Sequence, residues 1–396
     1  MNKSFTHKIH FKRSPIWVIF EVTFFRSLAA ALLTSILPIY FKQFVGTDAK
    51  VGLVFLVGYF AAFLSNLYAA HIIEHLRKRK SLLLALIIFT VSFASYTVIK
   101  HTPILLIVFG TYQFILALFV LDVSLYIKHY SNYKEIAENA GKLGSFSNIG
   151  WMIGPLLGSL IADKFGFNVL FLTSSVVSLI ALIIFFTVHL SGEEVHFPHS
   201  KPFAKNLKLF FKDANLCRTY INNAGLGFIF SIWDFLPLLM LQIGATIPII
   251  GMTKTLMGVP QSIFEFPIGR MADKETGERK IFMVGYILAA VFTLALGFTT
   301  DLHYFITFFF IAATGTSFLE MTRDSYFFRQ MSEKDIELVS VYRTSDTLPY
   351  LLGQVLAIAM LAIFPIKWWF IIGGLIAILI FVPNAYKLRE LRRKQA

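Results

Sequence analysis

The sequence predicts an all-α polytopic membrane protein of twelve transmembrane helices, arranged as two pseudo-symmetric six-helix bundles. Three observations predict it. First, 56% of the 396 residues are hydrophobic and only 15% charged, with a mean hydropathy of +0.68, whereas an ordinary globular domain is about 25% charged. A soluble core cannot hide that much apolar surface, so lipid is part of the solvent. Second, cutting the chain at charge clusters and turn residues leaves twelve apolar segments, most near the roughly 20 residues a bilayer requires. Third, the basic residues alternate in density from one connection to the next.

Taken in order, the expected spans are 15–40, 50–72, 81–99, 103–127, 143–162, 166–189, 219–242, 245–268, 280–299, 303–328, 341–364 and 367–386. Backbone groups find no partner in lipid, so such segments must be helical. The first span follows Lys3, Lys8, Lys12 and Arg13 and contains Ala29-Ala30-Ala31, a signal-peptide-like pattern. Glu21 and Arg26 interrupt the would-be apolar region, and the run continues to Phe41, so an uncleaved first span is expected. The fourth, eighth and tenth spans carry charges and are bounded by their flanks as much as by hydropathy.

The net charge of +13 would raise nucleic acid as a partner of a soluble protein, but its placement argues otherwise. With the N-terminus inside, 28 of the 36 Lys and Arg fall in the tail, in the inner connections 77–80, 128–142, 201–218, 270–280 and 329–343, and in 387–394. Outer loops hold only Lys42, Lys50, Lys100, Lys164 and Lys367, and Arg26, Lys254 and Arg323 lie within spans. That asymmetry predicts cytoplasmic termini in a cytoplasmic (inner) membrane. Cys217 stands alone, which excludes an intramolecular disulfide and a Cys-based metal framework. The polar stretch 191–218, with Pro198 and Pro202, separates an N-terminal bundle (1–190) from a C-terminal one (219–396). The halves echo each other: Arg79-Lys80 and Arg279-Lys280 follow the second span of each, and Tyr126 and Tyr326 sit late in the fourth span of each.

Gly269-Arg270-Met-Ala-Asp273-Lys274-Glu-Thr-Gly277-Glu-Arg279-Lys280 is the clearest motif. It offers a tight turn, an acid able to cap a helix N-terminus, and cations to hold a gate. It resembles the cytoplasmic-loop signature of the major facilitator superfamily, one residue longer between the acid and the basic pair. Its first-half counterpart runs Ala70-His71-Ile-Ile-Glu74-His75-Leu-Arg77-Lys78-Arg79-Lys80, with Glu74 for the acid and Arg77 in place of the second glycine. His71-Ile-Ile-Glu74-His75 also fits a zinc-peptidase pattern, but its place at a span end favours interfacial histidines. In the fifth span, Gly150, Gly154, Pro155 and Gly158 combine close-packing glycines with a helix-bending proline. That run is similar to the fifth-helix motif of the superfamily's drug–proton exporters, although simple helix packing explains it too. The arginine such exporters often carry in the fourth span has no counterpart here; Asp122 is the charge in that span.

An ion inside the bilayer costs a few kcal/mol or more and marks a functional candidate. Beyond Glu21, Arg26 and Asp122, these are Asp234, Lys254, Glu265, Glu320, Arg323, Asp324 and Asp346. Glu320, Arg323 and Asp324 share one helical face. Asp234 is the acid nearest mid-membrane in its span and the leading proton carrier, with Arg26 as its expected counter-charge. Lys254 reads most simply as snorkelling outward. The resemblance implies a monomeric secondary transporter working by alternating access. Export of small amphipathic molecules against protons is expected, uptake of a nutrient such as a sugar or amino acid is the alternative, and a receptor or membrane-embedded enzyme is the remote one. No phosphate-binding loop is present, and neither a cofactor nor a metal is expected.

The orientation has a direct test. In a Cys217→Ser background, a cysteine at Lys100 or Lys164 should react with an impermeant maleimide on whole cells. One at Lys205 should not, and its labelling would reverse the topology.

Overall fold

The computed structural model describes residues 14–132, 135–188, 203–264, 277–331 and 338–390. The first half comprises α1 (Pro15–Leu33), α2 (Leu37–Val45), α3 (Asp48–Leu76), α4 (Lys78–Ser95), α5 (Thr102–Tyr130), α6 (Ile136–Phe165) and α7 (Phe167–Thr187). A short helix, α8 (Phe203–Phe210), leads into the second: α9 (Ala214–Trp233), α10 (Leu236–Gln242), α11 (Ile247–Leu256), α12 (258–264), α13 (Glu278–Leu296), α14 (Leu302–Gln330), α15 (Val339–Thr344), α16 (Leu348–Leu361) and α17 (Lys367–Tyr386). These make twelve spans, because α1–α2, α9–α10, α11–α12 and α15–α16 are each one span interrupted by a turn. Among the described residues nine helical spans are long and apolar enough to cross a bilayer unaided. The other three are α4, which opens on three basic residues, and the broken spans α11–α12 and α15–α16.

Several helices run past the apolar stretches that predict them. Span two covers 48–76 rather than 50–72, span five 136–165 rather than 143–162, and span seven begins at Ala214, inside the stretch expected as linker. The reason is local: intrahelical hydrogen bonds persist into water wherever a cap stops them. Asp213 caps α9 by accepting from the backbone N–H groups of Asn215 and Leu216 at 2.7 and 2.9 Å.

The duplication is visible in the backbone. α5 and α14 are each 29 residues long, and Tyr126 and Tyr326 are both fully buried on them. The turn before α4 is made by Arg77 at φ 65° and ψ 145°, and the turn before α13 by Gly277 at φ 72° and ψ 139°. The first half therefore holds a side-chain-bearing residue in a conformation that suits glycine, a local strain of about 1–3 kcal/mol.

Span five joins the halves. One face of α6 presents Gly150, Gly154 and Gly158 to α1, where the added Cβ of an alanine would meet the backbone of Leu28, Ala31 and Leu32. The opposite face lies on α11: Gly251 sits against Ser159 and the Pro155 carbonyl, and the N–H of Leu156 donates to Thr255 Oγ1 at 3.2 Å. α3 and α16 make the second seam, with Gly52 against Ile358 and Asn66 Nδ2 3.4 Å from Thr347 Oγ1. At the end remote from the termini, Gln242 reaches Asp48 across the seam at 3.3 Å. Towards the termini, the glycines of α6 at 141 and 144 have open space around them among the described residues. The halves thus meet at the far end.

Gly158→Val should lower the melting temperature of the purified protein by the equivalent of about 1–3 kcal/mol or more, because the α1 backbone cannot yield to the new side chain. Gly144→Val on the same helix should be nearly neutral. Equal melting temperatures for the two would contradict this account of the α1–α6 contact.

Candidate functional site

The candidate site is built on a break in span seven. α9 ends at Trp233, Asp234 and Phe235 form a turn, and α10 resumes at Leu236 with Pro237 in its first turn. Proline has no N–H, so Pro237 cannot bond the carbonyl four residues earlier, that of Trp233. A bare carbonyl inside a membrane needs another donor. Lys254 of α11 supplies it: Nζ donates to Trp233 O at 3.0 Å, with the lysine 9% exposed. The C-terminal end of α9 also favours a cation there.

The same break turns Asp234 towards the first half. Tyr59 of α3 donates its hydroxyl to Asp234 Oδ2 at 2.8 Å, and Gln354 of α16 donates Nε2 to the same oxygen at 2.9 Å. Gln354 is fully buried, and its Oε1 has no partner among the described residues. The Tyr59 ring lies 4.7 Å from that of Tyr350, so the ring that carries the donated hydroxyl packs against one from the other half. Asp234 therefore sits at a helix break and at the seam between the halves, next to a buried ammonium. Bonds donated to a carboxylate are strongest when it is ionised, so its protonation bears directly on the contact between the halves.

Two expectations change. Lys254 turns inward to the freed carbonyl instead of snorkelling outward. The cation at Asp234 is Lys254, not Arg26, because the proline break offers the lysine an acceptor beside the acid. Arg26 has other company: its Nη2 lies 3.5 Å from the Tyr112 hydroxyl, between the rings of Phe89 and Phe119.

Nearer the termini, a second polar cluster joins spans seven, ten and eleven. Arg323 Nη1 meets Asp346 Oδ1 at 3.1 Å and Asn223 Oδ1 at 3.0 Å. Arg343 bridges Asp324 and Asp346, each at 3.3 Å. Glu320, half-buried, lies one turn before Arg323 and feels its charge. The shared face expected of Glu320, Arg323 and Asp324 is present, but Arg323 pairs across helices with Asp346 and leaves Asp324 to Arg343. Asp122 stands apart, wholly buried, with Oδ2 accepting from Ser81 at 2.6 Å. Glu21 is half-buried on α1 and Glu74 exposed near the end of α3.

Of the loop signature, Gly269, Arg270, Asp273 and Lys274 lie outside the described residues, as does Glu265. Gly277 makes the turn into α13, Arg279 stacks 4.4 Å over the Tyr386 ring, and Lys280 is exposed. Sequence reasoning missed Tyr59, Gln354, Asn223 and Arg343. Pro237, four residues after Trp233, was the available signal for the break; nothing in one sequence singles out a tyrosine or glutamine from another span.

The fold is that of a membrane protein built on two repeats, with a buried polar seam between them. The model of the Major Facilitator Superfamily matches residues 19–236 and 226–396, and the chain belongs to that superfamily. An uncharacterized MFS-type transporter of Methanocaldococcus jannaschii is 23% identical over 268 residues, 65% of this chain and 68% of that relative. Among solved structures, a POT family transporter in complex with a thioalcohol conjugated peptide has a TM-score of 0.76 at 14% identity, covering 94% of this chain and 96% of that one. A mutant of the nucleoside transporter NupG has a TM-score of 0.77 at 11% identity, covering 93% and 98%. The molecule is a transporter of the major facilitator type, not an enzyme.

Proposed function

We propose that this transporter is a proton-coupled exporter of small amphipathic molecules. In this reading it works as a monomer in a cytoplasmic membrane, with both termini inside. The observation that carries the coupling is Asp234, which sits at the break in span seven and accepts from Tyr59 of the opposite half. Transporters of repeated architecture place ion and substrate sites near the midplane at discontinuous helices, and the Pro237 break is such a place.

The mechanism follows from the two donated bonds. With Asp234 ionised, the bond from Tyr59 holds the halves together at the far end, Gln354 steadies the carboxylate from its own half, and the site faces the termini. Protonation weakens both bonds and releases Tyr59, so the far end parts and the halves rock the other way. Desolvation favours the neutral form of an occluded carboxylate, which lets the proton cross with the site. Lys254 stays on the Trp233 carbonyl and sets the field in which proton and substrate compete. Each charge moved down a membrane potential of 100 mV releases about 2.3 kcal/mol for the work. The polar cluster of Arg323, Arg343, Asp324 and Asp346, with Glu320 beside it, serves as the latch nearer the termini. The loop from Gly269 to Lys280, with Asp273 at its centre, is the proposed inner gate, and Glu74 its first-half partner. Glu21 and Asp122 are secondary proton candidates. The direction of transport rests on the Gly150–Gly158 run in span five.

Asp234→Asn should abolish substrate accumulation driven by a pH gradient in proteoliposomes while leaving exchange at equal pH partly intact. The measurement is a substrate panel with a lumenal pH dye, which also reads direction: proton movement opposite to substrate marks export, and movement with it marks the uptake of nutrients. Uphill pumping by the variant at the wild-type rate would make Asp234 a structural acid.

A further inference from the structure

Arg26 presents a charge without an anion. It is 5% exposed on α1. Its contacts are the Tyr112 hydroxyl at 3.5 Å, the edge of hydrogen-bonding range, and the faces of Phe89 and Phe119 at 4.9 and 5.2 Å from Cζ. Nε has no acceptor, and no carboxylate pairs with the guanidinium among the described residues. A guanidinium does not shed its proton to escape burial. Cation–π contacts offset the desolvation of such a group only in part.

The fold itself does not call for this charge. The equivalent turn of α9 in the second half carries Gly225 and Leu226, both buried. One turn before Arg26, the buried Thr23 hydroxyl also lacks a partner. Arg26 Nε and the Thr23 hydroxyl, both able to donate hydrogen bonds, therefore share a helix face with no acceptor among the described residues.

What lies alongside tells the shape of the missing partner. Tyr112 packs against Phe109 with ring centroids 6.3 Å apart, and Phe109 meets Phe55 at 5.9 Å. Phe55 stacks on Tyr59 at 6.2 Å, and Tyr59 bonds Asp234. A continuous aromatic strip runs from the arginine to the seam between the halves.

We propose that Arg26 receives the acidic head of an amphipathic organic anion, a carboxylate, sulfonate or phosphate ester, whose apolar body lies along that strip. The planar fork of the guanidinium matches such oxygens in pairs. The long Tyr112 contact is the one the anion replaces, and the Thr23 hydroxyl donates a further bond. This rests on the transport reading, since it takes the space between the halves as the substrate's path, and it narrows the substrate to anions.

The test uses purified full-length protein in detergent without a pH gradient, so its result is independent of the role of Asp234. Melting is followed by tryptophan fluorescence with 1-naphthoate, 1-naphthalenesulfonate and 1-naphthyl phosphate, against neutral 1-naphthamide and cationic 1-naphthylmethylammonium. Inorganic phosphate and phosphatidylglycerol are added separately as further arms. The naphthyl anions should raise the melting temperature of the wild type, and the amide and the cation should not. Arg26→Leu should melt at or above the wild-type temperature without ligand and lose the response to the anions. Arg26→Lys should bind them at least about tenfold more weakly.

An equal response in wild type and Arg26→Leu, a response to the amide as large as to the anions, or no response to any naphthyl anion would overturn the proposal. Protection by phosphatidylglycerol alone would make the site a lipid site and overturn the substrate assignment. Should Arg26→Leu fail to fold, an unweakened response in Arg26→Lys would overturn it instead.

Discussion

A missing backbone hydrogen bond organises the centre of this transporter. Pro237 deprives the Trp233 carbonyl of its helical donor, and in a membrane that vacancy must be filled. Lys254 fills it and is drawn into the interior from a neighbouring span. The interrupted helix then leaves Asp234 in a turn rather than on a regular helical face, free to accept from Tyr59 of the other half and Gln354 of its own. One residue without an N–H thus places an acid, a base and the contact between two six-helix units within a single site.

The repeat supplies the framework, and its departures from symmetry supply the chemistry. Span one has its own proline-linked interruption, at Thr34–Ile36 before Pro38, but Ser35 occupies that turn instead of an acid. Conversely, Arg26, a buried cation of the first half, has no equivalent charge in α9, where the matching turn carries Gly225 and Leu226. The contacts near the termini also invert. Glu278 at the start of α13 pairs with Arg329 at 3.2 Å, whereas Lys78 at the start of α4 acts on Asp122 and lies 5.9 Å over the Tyr126 ring. An acid suits a helix N-terminus and a lysine does not, so the two halves clamp the same inter-helix joint with opposite polarity and unequal help from the backbone. Two halves with one backbone plan and different electrostatics can respond differently to a proton.

The spans were legible in the sequence because lipid imposes a length and a composition that survive in one dimension. Their ends were not, since helices such as α3 and α6 continue past the apolar stretch until a cap or turn stops them. Asp234, Lys254, Arg323 and Asp346 stood out as ions where ions are costly. Their pairings did not, because partners come from other spans: Arg323 lies near Asp324 in sequence yet binds Asp346. Tyr59 and Gln354 carry no charge and sit among many similar residues, so only the approach of α3 and α16 to the break identifies them. Arg26 was visible as a charge inside a span, with Asp234 its expected partner; that no acid among the described residues pairs with it needed three dimensions.

The central claim is that protonation of Asp234 releases the far end of the seam. It is tested most directly by electron–electron distance measurements between spin labels across the halves, one pair at Lys50 and Ala362 at the far end, the other at Ser145 and Ser262 towards the termini. On lowering the pH, the account predicts a longer first distance and a shorter second one in a Cys217→Ser background, with both changes lost in Asp234→Asn. Distances that do not change with pH, or that change equally in the variant, would contradict it.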